Sequence, residues 1–277
     1  MSTSKASWLE YVPDITRALP WLRGDHWGKR ALRRLILSMT GLSRGGRCLQ
    51  RAHVRQKEGA AIFGAIATEC ELRLVAEGEL PVGALVVVAN HPTGPMDGIS
   101  FGAWLCSQRD DVRILTSDVL SKIPCFHDRV IGLALYESSS AARQNALALK
   151  QAMRHLHAGG CLAVFPAGTA AWRRSDGVVR EAEWSDVIFH LAVRCQAQLG
   201  LLRIDARNPM WLERLLAIHA HARTFFMGWC FLSARKKIHT LRWFGICQKS
   251  EQESVLEWKA RCESLLRSGG EGACPNR

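Results

Sequence analysis

The sequence contains no Cys-x-x-Cys pair, although it holds ten cysteines. Cys48, Cys70, Cys106, Cys125, Cys161, Cys195, Cys230, Cys247, Cys262 and Cys274 are scattered, several inside apolar stretches where a free thiol behaves as a small hydrophobe. That placement supplies no clustered metal ligands and argues against a disulfide framework, so a reducing cytosolic setting is expected. Long hydrophobic runs are missing too. None reaches the ~18 residues of a spanning helix. The nearest, Leu215 to Leu232, is interrupted by His219, His221 and Arg223 and reads as a buried or interfacial helix. The first 25 residues are mixed polar and charged, without the apolar centre of a signal peptide.

Acidic residues are also in short supply. Against 37 Lys and Arg stand 25 Asp and Glu, a net charge of +12. The excess sits early: within residues 1–60, twelve basic residues meet only Glu10, Asp14, Asp25 and Glu58. Such a patch asks for an acidic partner: nucleic acid, an anionic membrane or an acidic protein. No zinc-finger spacing or RNA-binding signature accompanies it, so no nucleic-acid partner is expected.

What is present reads as one α/β chain. Hydrophobic residues make up 48% of it, enough for a sizeable core. From Lys29 to Leu42 apolar residues recur at helical steps, with Lys29, Arg30, Arg33 and Arg34 between them, until Gly41 and the Ser-Arg-Gly-Gly segment at 43–46 stop the helix. Two readings stand: a basic amphipathic helix lying in a headgroup layer, or one packed on its own domain with a solvated face. Strands follow at Leu72 to Val75, Ala84 to Ala89, Val112 to Thr116, Val130 to Tyr136, Cys161 to Phe165 and Leu199 to Ile204. Ile238 to Ile246 alternates like an edge or mixed-sheet strand. Between them the pattern gives helices at Ala141 to His157, Trp184 to Gln198 and Pro209 to Ser233, with a last one to Leu266 capped by Ser250 and Glu253. Uninterrupted apolar strands between helices predict a largely parallel sheet flanked by helices on both faces. The expected division is a basic, helical segment over 1–70, membrane-facing if the family resemblance given below holds, and an α/β domain over 71–277.

In such sheets sites form beyond the carboxyl ends of strands. Directly after the strand ALVVVA comes Asn90-His91-Pro92-Thr93-Gly94-Pro95-Met96-Asp97. A Pro/Gly loop there can fold back so that Asp97 takes the His91 Nδ1–H, leaving Nε2 free to remove a proton from a hydroxyl. The plainer alternative is that His91 caps a turn and Asp97 caps the next helix. A second strand end carries Phe165-Pro166-Ala167-Gly168-Thr169, a turn able to expose backbone N–H groups to an oxyanion or headgroup. Gly98-Ile99-Ser100-Phe101-Gly102 matches G-x-S-x-G, but Ser100 falls too far from the strand for a nucleophile elbow. His155 with His157, and His219 with His221, are two apart and make poor metal pairs. Trp8, Trp21 and Trp27 flank the basic segment as interfacial anchors or as packing residues.

The block AN-HPTGPMD-G resembles the first signature, N-H-x4-D, of the glycerolipid acyltransferases related to bacterial 1-acylglycerol-3-phosphate acyltransferase. Its x5 spacing is similar to that of the haemolysin-like and lyso-ornithine-lipid acyltransferase subgroup. Phe165 to Thr169 resembles that family's F-P-E-G-T-R block, with Ala167 in place of the acid and Ala170 in place of the arginine. Leu201 to Asn208 resembles the fourth block; the second, around Tyr136 to Arg143, matches poorly. The resemblance implies an acyltransferase with His91 and Asp97 as catalytic pair. Asn90, Thr93, Gly94, Phe165 to Thr169, Arg173 and Arg174 fall to substrate binding, although a solvated role also suits the two arginines. It implies no metal or cofactor beyond an acyl-ACP or acyl-CoA co-substrate. The expected acceptor is a lysolipid, favoured to be lyso-ornithine-lipid-like, with 1-acylglycerol 3-phosphate or a specialised amphiphile as alternatives. A non-catalytic lipid-binding relative is the competing class. The expected location is peripheral, on an anionic membrane surface at the cytoplasmic face of the inner membrane.

Overall fold

β2 (Leu85–Ala89) is buried at all five positions, and this is the organising fact of the fold. Its residues alternate between two cores. Leu85, Val87 and Ala89 join one, with Ile62, Phe63, Met96 and Phe101, while Val86 and Val88 join the other, with Leu156, Phe189 and Trp258. A strand with apolar side chains on both faces must lie inside a sheet covered twice. The computed structural model describes residues 7–16, 19–55, 59–134, 140–218 and 226–268.

The sheet has seven strands in the order β1-β9-β8-β2-β5-β3-β4. The others are β1 (Arg73–Glu77), β3 (Val112–Ser117), β4 (Val130–Leu133), β5 (Cys161–Val164), β8 (Gln198–Asp205) and β9 (Ile238–Ile246). β8, β2, β5, β3 and β4 run parallel. β9 lies antiparallel to β8, and β1 parallel to β9, so the sheet is largely but not wholly parallel. Of the two readings of Ile238 to Ile246, the mixed-sheet strand holds: β9 is an inner strand with one parallel and one antiparallel neighbour, and β1 takes the edge beside it. A separate two-stranded hairpin, β6 (Trp172–Arg173) and β7 (Val179–Arg180), projects from the carboxyl end of β5.

α1 (Trp27–Met39) ends three residues before the expected Leu42, and the Ser-Arg-Gly-Gly segment does not break the helical run. It lies inside a second helix, α2 (Leu42–Arg55), where Gly46 serves close packing. A Cβ on Gly46 would stand 2.6 Å from Val12 Cγ1 and 3.0 Å from the Trp8 carbonyl oxygen. α3 (Ile62–Glu69) and α4 (Pro95–Cys106) complete this face, and the short α5 (Asp118–Ser121) follows β3. α6 (Ala141–His157) has the expected bounds and closes at Gly159, whose φ of 82° is the left-handed conformation of a helix stop. α7 (Val187–Arg194) is shorter than expected because Ser185 N–H donates to the Pro166 carbonyl (3.0 Å), tying its approach to the turn after β5. α8 (Met210–Ile218) and α9 (Met227–Ser233) occupy the predicted long apolar helix; 219–225 lie outside the described residues. So do 135–139, hence part of the weakly matched second block. The last helix, α10 (Val255–Arg267), is capped by Ser254 and Glu257, one turn after the expected Ser250/Glu253 box. Among the described residues no helix is long and apolar enough to cross a membrane.

Candidate active site

His91 leaves the carboxyl end of β2, and Asp97 follows in the first turn of α4. The connection is tight: Gly94 has φ 112°, a conformation that disfavours any side chain, and Pro95 starts the helix with a preset φ. This turn brings the Asp97 carboxylate back onto the residues before it. His91 Nδ1–H donates to Oδ2 at 2.8 Å, as do the backbone N–H groups of Thr93 (2.7 Å) and Gly94 (2.8 Å). The Thr93 hydroxyl donates to Oδ1. Asp97 is fully buried and every contact asks it to accept, at a helix N-terminus where negative charge is favoured. With Nδ1–H spent on Asp97, the imidazole presents Nε2 as its free acceptor. Phe165 stacks on the ring with centroids 4.1 Å apart and fixes its plane.

The main chain of His91 is held by the loop after β5. Its carbonyl accepts from Ala171 N–H at 2.7 Å, and its N–H donates to the Glu181 carboxylate just beyond β7. The other Glu181 oxygen accepts the Trp184 indole N–H at 3.2 Å. Burial pushes the Glu181 carboxyl up from the usual carboxylate range, against the lowering pull of these hydrogen bonds. Sequence reading missed Glu181. Its signal was the Asp176-Gly177 pair, a hairpin mark that returns the chain to His91.

The other expected site residues divide by what they touch. The Asn90 amide is spent on the Ile204 backbone, accepting its N–H at 2.7 Å and donating to its carbonyl at 3.0 Å, so it stitches β2 to β8. Thr93 and Gly94 serve Asp97. Phe165 to Thr169 form the predicted turn, closed by Gly168 N–H on the Phe165 carbonyl (2.9 Å), which uses internally one of the donors it was expected to offer. Gly168 and Thr169 are exposed, Pro166 is buried and Ala167 half-buried. Arg173 and Arg174 are half-buried rather than solvated. Arg173 pairs with Glu213 at 2.9 Å, and Arg174 lies 3.5 Å over the Trp172 ring. Ser100 sits inside α4, fully buried and 2.7 Å from His239 Nδ1, away from any strand-end turn. His155 meets the Cys161 carbonyl, and no cluster of three metal-binding side chains occurs among the described residues.

Two separate spaces flank this strand end, His91 lining one and its neighbours Asn90 and Pro92 the other. An apolar cavity of about 120 Å³ is lined by His91, Phe165, Ile99, Leu49, Phe126 and Phe231, among others. On the other side is a polar crevice of about 820 Å³, walled by Asn90, Pro92, Arg173, Glu181, Arg203 and Glu213, with Glu263 and Arg267 at its rim.

A family model described as Acyltransferase matches residues 72–200, the stretch that carries both strand-end blocks. The matched stretch runs from just before β1 into β8 and includes His91, Asp97, the Phe165–Thr169 turn and Glu181. Among solved structures, the chain is similar to the 1-acyl-sn-glycerophosphate (LPA) acyltransferase PlsC of Thermotoga maritima. The identity is 18% and the TM-score 0.49, over 87% of this chain and 96% of that one. No curated protein matches the sequence.

Proposed function

We propose that this protein transfers a fatty acyl group from a thioester, on acyl carrier protein or coenzyme A, to the hydroxyl of a lysolipid. The observation that carries the reading is the His91–Asp97 pair, 2.8 Å apart, with His91 lining an apolar cavity and its neighbours Asn90 and Pro92 lining a crevice of charged residues. His91 Nε2 takes the proton of the acceptor hydroxyl while that oxygen attacks the thioester carbonyl carbon. As the C–S bond breaks, the departing thiolate takes the proton from the imidazolium, leaving an ester and a free thiol. Asp97 holds the imidazole and stabilises its charged form; such a positioned base contributes roughly 10²–10⁴-fold. The apolar cavity suits the acyl chain and the crevice the headgroup.

The crevice favours a zwitterionic acceptor over a phosphate monoester. Arg173 is paired with Glu213, Arg203 with Asp205 at 2.8 Å and Arg267 with Glu263 at 2.6 Å, so most of its cations are matched by acids and Arg207 alone of the lining arginines has no ion pair among the described residues. Ammonium and carboxylate groups can each find a partner in such a wall, whereas a dianion prefers unpaired cations. A lyso-ornithine-lipid-like acceptor fits this chemistry; 1-acylglycerol 3-phosphate is the alternative.

Attachment to an anionic bilayer, at the cytoplasmic face of the inner membrane, goes with the same reading. α1 buries only Leu37 and exposes Trp27, Leu35 and Met39 beside Lys29, Arg30 and Arg34. Each basic residue near such a surface adds about 1 kcal/mol.

The test incubates wild type and His91→Ala with lyso-ornithine lipid and lysophosphatidic acid, each with acyl carrier protein and coenzyme A thioesters. Product is read by mass spectrometry. Acylated product from the wild type alone is expected, with the zwitterion preferred. Equal product from both proteins refutes the role of His91.

A further inference from the structure

The His91 side chain is held by Asp97, but its main chain is held by a different carboxylate. Glu181 accepts the His91 backbone N–H with one oxygen and the Trp184 indole N–H with the other, and its charge acts on the imidazole. The hairpin that delivers it also supplies the Ala171 N–H to the His91 carbonyl, so the hairpin grips the histidine's main chain from both sides. The charged groups around it are already committed. From the hairpin, Arg174 gives Glu181 only a hydrogen bond to its backbone carbonyl (3.0 Å), Arg173 turns to Glu213, and Arg180 pairs with Asp176. From β8, Arg203 binds Asp205; from α10, Arg267 binds Glu263; Arg207 is exposed. From α4 comes Asp97, a like charge. Among the described residues, no arginine or lysine forms an ion pair with the Glu181 carboxylate.

We propose that Glu181 is a positioning residue, which fixes the His91 main chain and places a second negative charge beside its imidazole. A cation created at His91 is then stabilised from both sides: Asp97 on the ring, Glu181 behind the backbone. This rests on the acyltransferase reading for its kinetic consequence but not for its electrostatic one.

Glu181→Gln keeps an acceptor for the His91 N–H and removes the charge. The direct readout is the titration of His91 by NMR in histidine-labelled protein without substrate, assigned with His91→Asn. The variant is expected to lower the His91 pKa by about one unit, the scale of a nearby opposite charge. In turnover, kcat should fall about tenfold with KM little changed, and the acid limb of the pH profile should move to lower pH by the same unit. A variant whose His91 titrates as in the wild type overturns the proposal. Wild-type protein that makes no acyl product refutes the acyltransferase reading alone, since the titration is measured without it.

Discussion

Replacing Asp97 with asparagine separates what its charge does from what its shape does. Three donors converge on Oδ2: His91 Nδ1–H, Thr93 N–H and Gly94 N–H, all within 2.8 Å. Only the Thr93 hydroxyl faces Oδ1. An asparagine that turned its NH₂ toward the Oδ2 position would leave two buried backbone donors unmet, at about 1–3 kcal/mol each. The amide oxygen therefore takes that place, and the NH₂ meets the Thr93 hydroxyl, which can reverse and accept. The imidazole keeps its tautomer but loses its counter-charge. A hydrogen bond to a charged partner is worth about 1.5–3 kcal/mol, so kcat/KM should fall roughly 10- to 150-fold. Urea unfolding should show a stability loss of similar size. Asp97→Ala is uninformative by contrast, because four unmet buried donors would threaten the fold itself. Steady-state kinetics on Asp97→Asn, checked by urea unfolding, decide the matter. Wild-type activity would refute the pairing of His91 with Asp97. A loss near 10⁴-fold would refute the amide orientation, since that is the size seen when the wrong tautomer is imposed.

The cavity wall should set chain length. A Cβ on Gly45 would meet only Phe231 Cδ1, at 3.7 Å, so Gly45→Val should fold, narrow the cavity and move preference several-fold toward shorter acyl thioesters in a competition assay. Stability should fall on acidification through a second histidine. Burial lowers the His239 pKa below its unfolded value near 6.5, so the unfolded chain binds the extra proton first; stability is full above about pH 6.5 and is lost as pH falls toward the depressed folded pKa. His239→Gln should flatten that part of a stability–pH curve measured with urea. Flotation with anionic vesicles should lose most of the protein when Trp27 and Leu35 are both changed to glutamate, and binding of the wild type should weaken at high salt.

Much of the architecture could be read from the chain because its signals are local. Five successive apolar residues from Leu85 to Ala89 can hardly be other than an inner strand, and a glycine pair ends α6 where the helical period ends. His91 and Asp97 were legible for the same reason: six residues and a Gly-Pro turn bring them together without help from the rest of the fold. What escaped was long-range. The glycine at 46 looks like a helix breaker until Val12 and Trp8 are seen against it. Asn90 looks like a substrate ligand until Ile204, 114 residues away, takes its amide. Trp184 looks like the start of a helix until Ser185 is found tied to Pro166.

The residues a motif makes conspicuous are here largely occupied with one another. Asp97 holds His91, Thr93 and Gly94 hold Asp97, and Asn90 holds the neighbouring strand, which leaves only Nε2 of His91 as the motif's own offer to a substrate. A turn tied together this way holds its histidine in place, which is what the proposed base would need to meet a hydroxyl at hydrogen-bond distance. It follows that discrimination between substrates must be sought elsewhere. The apolar cavity is walled by segments with no signature at all: Tyr11 to Pro13, the α2 face at Leu42 to Leu49, and Met227 to Phe231. The crevice is walled by the hairpin arginines, Glu181 and Glu213. Exchanging these walls while leaving His91 to Asp97 intact should change which lipid is acylated before it changes whether one is.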